Sequence, residues 1–317
     1  MCVTPAHDTT PSGNDAPAPN RYVFTAFDTL VALDLWGDKE ACAAAAELAE
    51  RDCREYESLF SRTLPDSDIG RLNRSCGEWV HVDPRTLDLL KAALRYCERS
   101  WGAFDVTVAP LVEQWDFKNG VVPSADSLAH AARHVDWHAV EADADRCRIR
   151  LADPVGKVDL GGVAKGWIAD ALRGQIMDGG RFGLQGMVAN LGGNIVVGGR
   201  KPASDVWRIG VKDPRDPSRN VAVVPVAQGS VVTSGTYERS FERGGVLYHH
   251  VLDPKTGWPV DTDLAGATLV CERSLDAEGY STTVLALGRR KGARFVREHP
   301  EVEHACLVGC DGELELL

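Results

Sequence analysis

Apolar positions alternate along Arg21 to Trp36 (RYVFTAFDTLVALDLW), the period-two signature of a strand, or of two strands with a break. Lys39 to Phe60 is rich in alanine and glutamate and predicts a helix. Pro84 stands at a helix start, a position proline favours. Leu87, Leu90, Leu94, Cys97 and Trp101 then recur at helical spacing until Gly102 stops the pattern. Ser124 to His134 predicts a further helix, and Val140 to Leu160 two strands with turns between them. In Val163 to Met177 the residues Val163, Trp167, Ala171 and Ile176 share a helical face, closed by Gly179-Gly180. Met187 to Val197 reads as a strand interrupted by Gly192-Gly193, and Trp207 to Val260 is mostly strand and turn. Ala277 to Leu287 predicts a short helix or helix start, followed by a last helix and a strand pair up to Leu317. Strands and helices without strict alternation, and without an internal repeat, predict an α+β fold rather than a doubly wound sheet.

The chain has 317 residues, of which 44% are hydrophobic and 26% charged, as in a globular protein with a sizeable core. The net charge of −11 and the lack of any basic run argue against binding a phosphate backbone as the main task. A small anionic ligand at a local site stays compatible with it. Residues 1–20 hold four prolines and few bulky apolar side chains, so they are expected to be a disordered tail ahead of a domain over 21–317. Neither a signal peptide nor a lipoprotein pattern nor a membrane span is visible, which leads to an expected cytoplasmic location. The nine cysteines are odd in number and contain no C-x-x-C, which suits reduced structural thiols. Cys306 and Cys310 lack the second pair that a zinc site needs, and His130, His134 and His138 lack a further ligand.

Chemistry concentrates in a few stretches. Lys157 to Asp170 (KVDLGGVAKGWIAD) sets a carboxylate, two glycines and a lysine at a strand-to-helix junction. Glycines let a ligand approach the backbone, and a helix N-terminus offers N–H groups and partial positive charge. Asp159 and Lys165 are then candidate ligand contacts; an ordinary turn with a surface lysine is the alternative. The spacing is neither of the two common nucleotide glycine motifs. ANLGGN marks a bend or close backbone approach. VVTSGTYER offers hydroxyls before a glycine, for a phosphate or for a turn. HHVLDPKTGWPV sets a histidine beside a rigid turn, where a general base or a structural histidine would both fit. In AEGYSTTVLALG, Glu278 and Thr282 share a helical face, as oxygen ligands for a hard cation or as a solvated helix start.

The order of these stretches, DLGGVAKG, NLGGN, TSGTYER, HVLDPKTGWP and then a glutamate and threonine, resembles the ApbE-type FAD:protein FMN transferases. LFSR, SDIGRLN and GAFDVTVAPLVEQW resemble that family's N-terminal half, so the likeness runs from about Tyr22 to Gly288. The resemblance implies an α+β, T-fold-like domain with a mixed sheet and an FAD site in a cleft between two lobes. It implies that FAD is cut at its pyrophosphate, FMN passes to a threonine or serine hydroxyl of an acceptor protein, and AMP leaves, with magnesium as the metal. By the same resemblance Gly162, Glu278 and Thr282 would hold magnesium, and Ala103, Phe104, Asp105, Asp159 and Lys165 would contact FAD. Ser234 and Gly235 would line the site, and His250 would take the acceptor proton. This chain carries Glu278 where the family usually has aspartate, and Phe27-Asp28-Thr29 where it usually reads Met-Gly-Thr. The same site would also serve a magnesium-dependent FAD pyrophosphatase, or a flavin-binding protein without turnover.

Overall fold

The computed structural model describes residues 4–5 and 17–317. The expected disordered tail therefore falls mostly outside the described residues; Thr4 and Pro5 pair antiparallel with Val223 and Ala222. The alternating segment is a hairpin, β1 (Asn20–Ala26) and β2 (Thr29–Trp36), turned by Phe27 and Asp28. β3 (Gly186–Leu191) and β4 (Asn194–Gly199) form a second hairpin about Gly192-Gly193. β5 (Gly229–Gly235), β6 (Leu264–Cys271), β7 (Val302–Gly309) and β8 (Leu314–Leu316) complete one eight-stranded sheet, ordered β1 to β8 as in the chain. Its pairs are all antiparallel, so the expected mixed sheet resolves into an antiparallel meander whose excursions carry the other elements.

Those excursions cover both faces. Helices α1 (Lys39–Phe60), α2 (Pro84–Arg99), α3 (Ala164–Met177) and α4 (Ser274–Glu298) pack on one face with Val31, Leu33, Val232, Ala267 and Leu269. The strands Trp207–Asp213 and Asp216–Val226 pack on the other with Val197, Val231, Val270 and Val308. Adjacent residues such as Val231 and Val232 thus enter different cores, as the pleat dictates. Every residue of β6 is buried because it is covered on both sides. A third cluster of Leu111, Trp115, Leu128, Ala131 and Leu252 lies under the loops of GAFDVTVAPLVEQW and HVLDPKTGWP.

Local chemistry explains the boundaries. Asp38 caps α1 by accepting from Glu40 and Ala41 N–H, and Asp83 caps α2 through Arg85 N–H. The α4 start has no side-chain cap of its own; Asp170 of α3 supplies one, accepting from Ser274 N at 2.9 Å and Leu275 N at 3.0 Å. At Gly288 (φ 74°) α4 breaks, where Asp263 caps the second half through Arg289 N, so the short helix and last helix foreseen from sequence are two parts of one element.

Helices α3 and α4 meet at Gly166. A Cβ there would lie 2.6 Å from Ser274 O and 2.8 Å from Leu275 Cα, both backbone atoms. Gly166→Ala must therefore push the helices apart, and we expect a loss of about 1–3 kcal/mol. Chemical denaturation with a two-state fit measures it; an unchanged midpoint would show that the helices separate at little cost.

Candidate active site

The strand-to-helix junction is pinned from three sides. Val158 N–H donates to Asn73 Oδ1 (2.7 Å) and Asn73 Nδ2 donates to Val158 O (2.9 Å), a side chain standing in for a strand partner. Asp159 N–H donates to Val106 O at 2.7 Å. Asp159 Oδ1 accepts from Gly161 N at 2.8 Å, and its Oδ2 pairs with Arg62 Nε at 2.9 Å. A Cβ on Gly162 would sit 2.8 Å from the Phe104 ring, so the second glycine makes room for Phe104.

The expected array of amides free for a ligand is narrower than the sequence suggests. The Gly161 N–H is taken by Asp159, and the Gly166 N–H donates to Glu278 Oε2. A regular helix would send the Gly166 N–H to the Gly162 carbonyl four residues back. Among the described residues Gly162 O therefore lacks that donor. Lys165, expected at a ligand, lies 2.7 Å from Glu278 Oε1 and 3.4 Å from Gly161 O.

Glu278 and Thr282 lie four residues apart on α4, and of the other expected residues Lys165 reaches Glu278 and Ser234 reaches Thr282. Ser234 Oγ lies 2.8 Å from Ser281 Oγ and 3.1 Å from Thr282 Oγ1. Gly235, next on β5, leaves no space for a side chain beside the Tyr237 ring. Ala103 and Phe104 are held by Ser100, through Ala103 N–H to its carbonyl and Phe104 N–H to its hydroxyl. Asp105 turns inward: Oδ1 accepts from Thr107 N (2.7 Å) and Oγ1 (2.6 Å), and Oδ2 from Trp137 N (3.3 Å). Burial pushes the Asp105 carboxyl up, against those hydrogen bonds. Its carboxylate thus shapes the loop.

His250 follows the hairpin Ser240–Arg243 and Val246–His249, and its N–H donates to Arg239 O at 3.1 Å. Its Nδ1 is buried without a hydrogen-bond partner among the described residues. Burial, reinforced by the positive charge of Arg239, by His249 and by Lys165, pushes its pKa down to about 3. The imidazole is neutral at pH 7. The turn behind it is rigid: Gly257 N–H donates to Asp253 O (2.8 Å), and Trp115 Nε1 donates to Gly257 O (2.9 Å). Gly257 has φ 74° and faces Leu111, so a side chain there is excluded by both conformation and space.

That histidine makes stability depend on pH. Between the ordinary value of 6.5 and about 3, the unfolded chain binds a proton at His250 that the folded chain refuses. Stability from this group is present above the unfolded pKa and is lost as pH falls, by at most about 1.4 kcal/mol per pH unit. Thermal melts between pH 7 and 5 are expected to fall more steeply for the wild type than for His250→Phe. Parallel curves would show that His250 titrates normally in the fold.

Some neighbours were not singled out from sequence. Arg62, in LFSR, aims Asp159; Asn73, ending SDIGRLN, pins Val158. Glu238 sits in TYER with its carboxyl pushed up by desolvation, despite the residue's exposed rim; Lys165 and Arg239 pull the other way and Glu278 adds to the rise. The charged pair after TSGT is the signal that would have found it. Asn194, the last residue of NLGGN, accepts from Ser274 Oγ at 2.7 Å and braces the α4 start. Phe27 and Asp28 have φ of 56° and 55°, so the turn that glycine would ease is kept here by two non-glycine residues. Phe27 N–H donates to Glu57 at 3.0 Å. The histidines of HAARHVDWH turn to separate partners, His134 to Asp153 and His138 to Asp136. A surface hollow of about 350 Å³ lined by Pro225, Gln228, Glu272 and His304 shares no residue with this constellation.

Comparison with known proteins bears on the family and the fold. Residues 27–306 match the ApbE family. A relative from Treponema pallidum named FAD:protein FMN transferase is 34% identical over 295 residues, covering 87% of this chain and 80% of the relative. One of the same name from Klebsiella pneumoniae is 31% identical, covering 86% and 84%. The crystal structure of the ApbE protein from Thermotoga maritima superposes with a TM-score of 0.85 at 32% identity, over 94% of this chain and 96% of that one. The chain belongs to the ApbE family.

Proposed function

We propose that this protein is a magnesium-dependent FAD:protein FMN transferase, acting on a threonine or serine hydroxyl of an acceptor protein and releasing AMP. The relatives bear the name of the activity. The observations that carry the reading are a neutral imidazole at His250 whose Nδ1 has no partner among the described residues, Lys165 at 2.7 Å from Glu278, and Ser234 at 3.1 Å from Thr282, one helical turn along from Glu278.

The donor set fits a hard divalent cation. Among the described residues no group of three or more His, Cys, Asp or Glu side chains is placed to hold a metal. One buried carboxylate at Glu278, the Thr282 hydroxyl and the Gly162 carbonyl lacking its helical donor would together be an oxygen set, which suits magnesium with retained water. When bound, the cation supplies charge stabilisation at the diphosphate. The chain's own groups do the rest. Phe104 and the backbone of Ala103 and Asp105 would shape the flavin nucleotide's seat, with Asp159 and Lys165 contacting it. His250 would accept the proton of the acceptor hydroxyl as its oxygen bonds to the FMN phosphorus and the bond to the AMP oxygen breaks. Lys165 and Arg239 bring positive charge toward the anionic leaving group. Negative diphosphate near His250 would offset the charges that depress its basicity.

We also read residues 21–317 as one catalytic domain, because strands from both ends join one sheet. The cytoplasmic location expected from sequence goes with an acceptor segment on that side. Among the described residues no helix is long and apolar enough to cross a membrane.

The test is product analysis with FAD and magnesium, with and without an acceptor domain. AMP that forms only with the acceptor, in equal amount to flavin bound to it, is the expected result. AMP and free FMN at the same rate without acceptor would instead mark a pyrophosphatase.

A further inference from the structure

Both carboxylate oxygens of Glu278 are already in use. Oε1 lies 2.7 Å from Lys165 Nζ, and Oε2 accepts the Gly166 N–H. The Glu278 side chain is only 7% exposed, and a carboxylate so buried is strongly unfavourable without a partner. A divalent cation arriving at this carboxylate meets the Lys165 ammonium 2.7 Å from Oε1, and the two positive charges repel, so binding favours the loss of a partner.

The two partners are not equally replaceable. The Gly166 N–H belongs to a helix pressed against α4, where even a methyl group would collide with Ser274 and Leu275. Lys165 is 28% exposed and ends a flexible four-carbon stem, with Gly161 O, at 3.4 Å, as its other contact. Only Lys165 can leave without moving the fold. It stands one helical turn from the Gly161–Gly162 junction, so its ammonium can swing from the carboxylate toward an anion seated there.

We propose that Lys165 is a resident counter-ion of Glu278, which the incoming divalent cation displaces toward the diphosphate of FAD. This rests on the reading of Glu278 as a metal ligand. Before cation binding, Lys165 pairs with the buried carboxylate and holds it in place. Cation and FAD both favour the swung-out lysine, one by occupying the carboxylate and the other by receiving the ammonium. Their binding is thus positively coupled, and the coupling is reciprocal.

Calorimetric titration of the FAD-free full chain separates this from a merely structural ion pair. Magnesium alone is expected to bind Lys165→Met about tenfold more tightly than wild type, equivalent to about 1.4 kcal/mol, because competitor and repulsive charge are both gone. FAD without magnesium is expected to bind the variant more weakly, and the help that each ligand gives the other shrinks. Lys165→Gln, which keeps a donor without the charge, should shift both affinities the same way and serves if the methionine variant folds poorly. Magnesium binding that is unchanged or weaker in both variants overturns the proposal. Glu278→Gln supplies the control for the underlying reading. If it binds magnesium as wild type does, the metal assignment itself is wrong; if it does not, a failure of the lysine variants belongs to the counter-ion proposal alone.

Discussion

His250→Ala is expected to lower FMN transfer by about 10²–10⁴-fold, the usual contribution of a positioned general base. FAD affinity should stay close to wild type, because the flavin nucleotide's expected contacts lie on the junction at Asp159 to Lys165 and the Ala103 to Asp105 loop. The physical reason for so large an effect is the setting of the ring. It is half-buried and neutral, its Nδ1 lacks a partner among the described residues, and it is held by a backbone bond to Arg239 and by the Asp253 to Gly257 turn. A neutral imidazole does not spend its Nδ1 lone pair on the protein, and the negative diphosphate would offset the burial and positive charges that lower its basicity. Transfer rates under single turnover, with FAD binding followed by flavin fluorescence, check both halves. Normal transfer by the alanine variant would remove His250 from the chemistry.

Glu278→Gln is expected to lower transfer by about 10²–10³-fold, as for loss of one preorganised electrostatic element. The amide oxygen can still accept from Gly166, so the α3–α4 junction survives, while the charge that faces Lys165 and the expected cation is lost. Glu278→Asp keeps the charge but draws it back by one methylene from Lys165 and Gly166. Its expected loss is smaller than that of the glutamine variant. Transfer measured against magnesium concentration distinguishes a weakened metal site from a damaged fold: the aspartate variant should recover at high magnesium, and the glutamine variant should not. A glutamine variant with wild-type transfer would contradict the metal reading.

Local signals in the chain were legible where the physics is local. The helix predicted over Lys39 to Phe60 has those ends because Asp38 caps it and Ser61 leaves the helical region. The broken segment Arg21 to Trp36 is a hairpin, and Gly192-Gly193 marks a turn. The full strand order could not be read, because β2 pairs with β3 across a segment of more than a hundred residues, Leu33 with Ala189, and other neighbours are parted by long excursions. Spacing set Asp159 with Lys165 and Glu278 with Thr282, but these pairs and Ser234 were read as one site only through the resemblance, since nothing in spacing brings Lys165 to Glu278. Arg62 and Asn73 show the same limit. Their motifs were noticed, but their partners, Asp159 and Val158, lie far along the chain. The resemblance implied Asp105 as a ligand contact, and only the fold shows both of its oxygens engaged by Thr107 and Trp137.

The most direct test of the transferase reading mixes the purified protein with FAD, magnesium and a panel of candidate acceptor domains, followed by denaturing gel and mass spectrometry. The account predicts a fluorescent acceptor band carrying one FMN through a phosphoester on a threonine or serine, absent when EDTA is added and absent with His250→Ala. An acceptor from a system served by a related transferase that stays dark here, while that relative labels it under the same conditions, would contradict it.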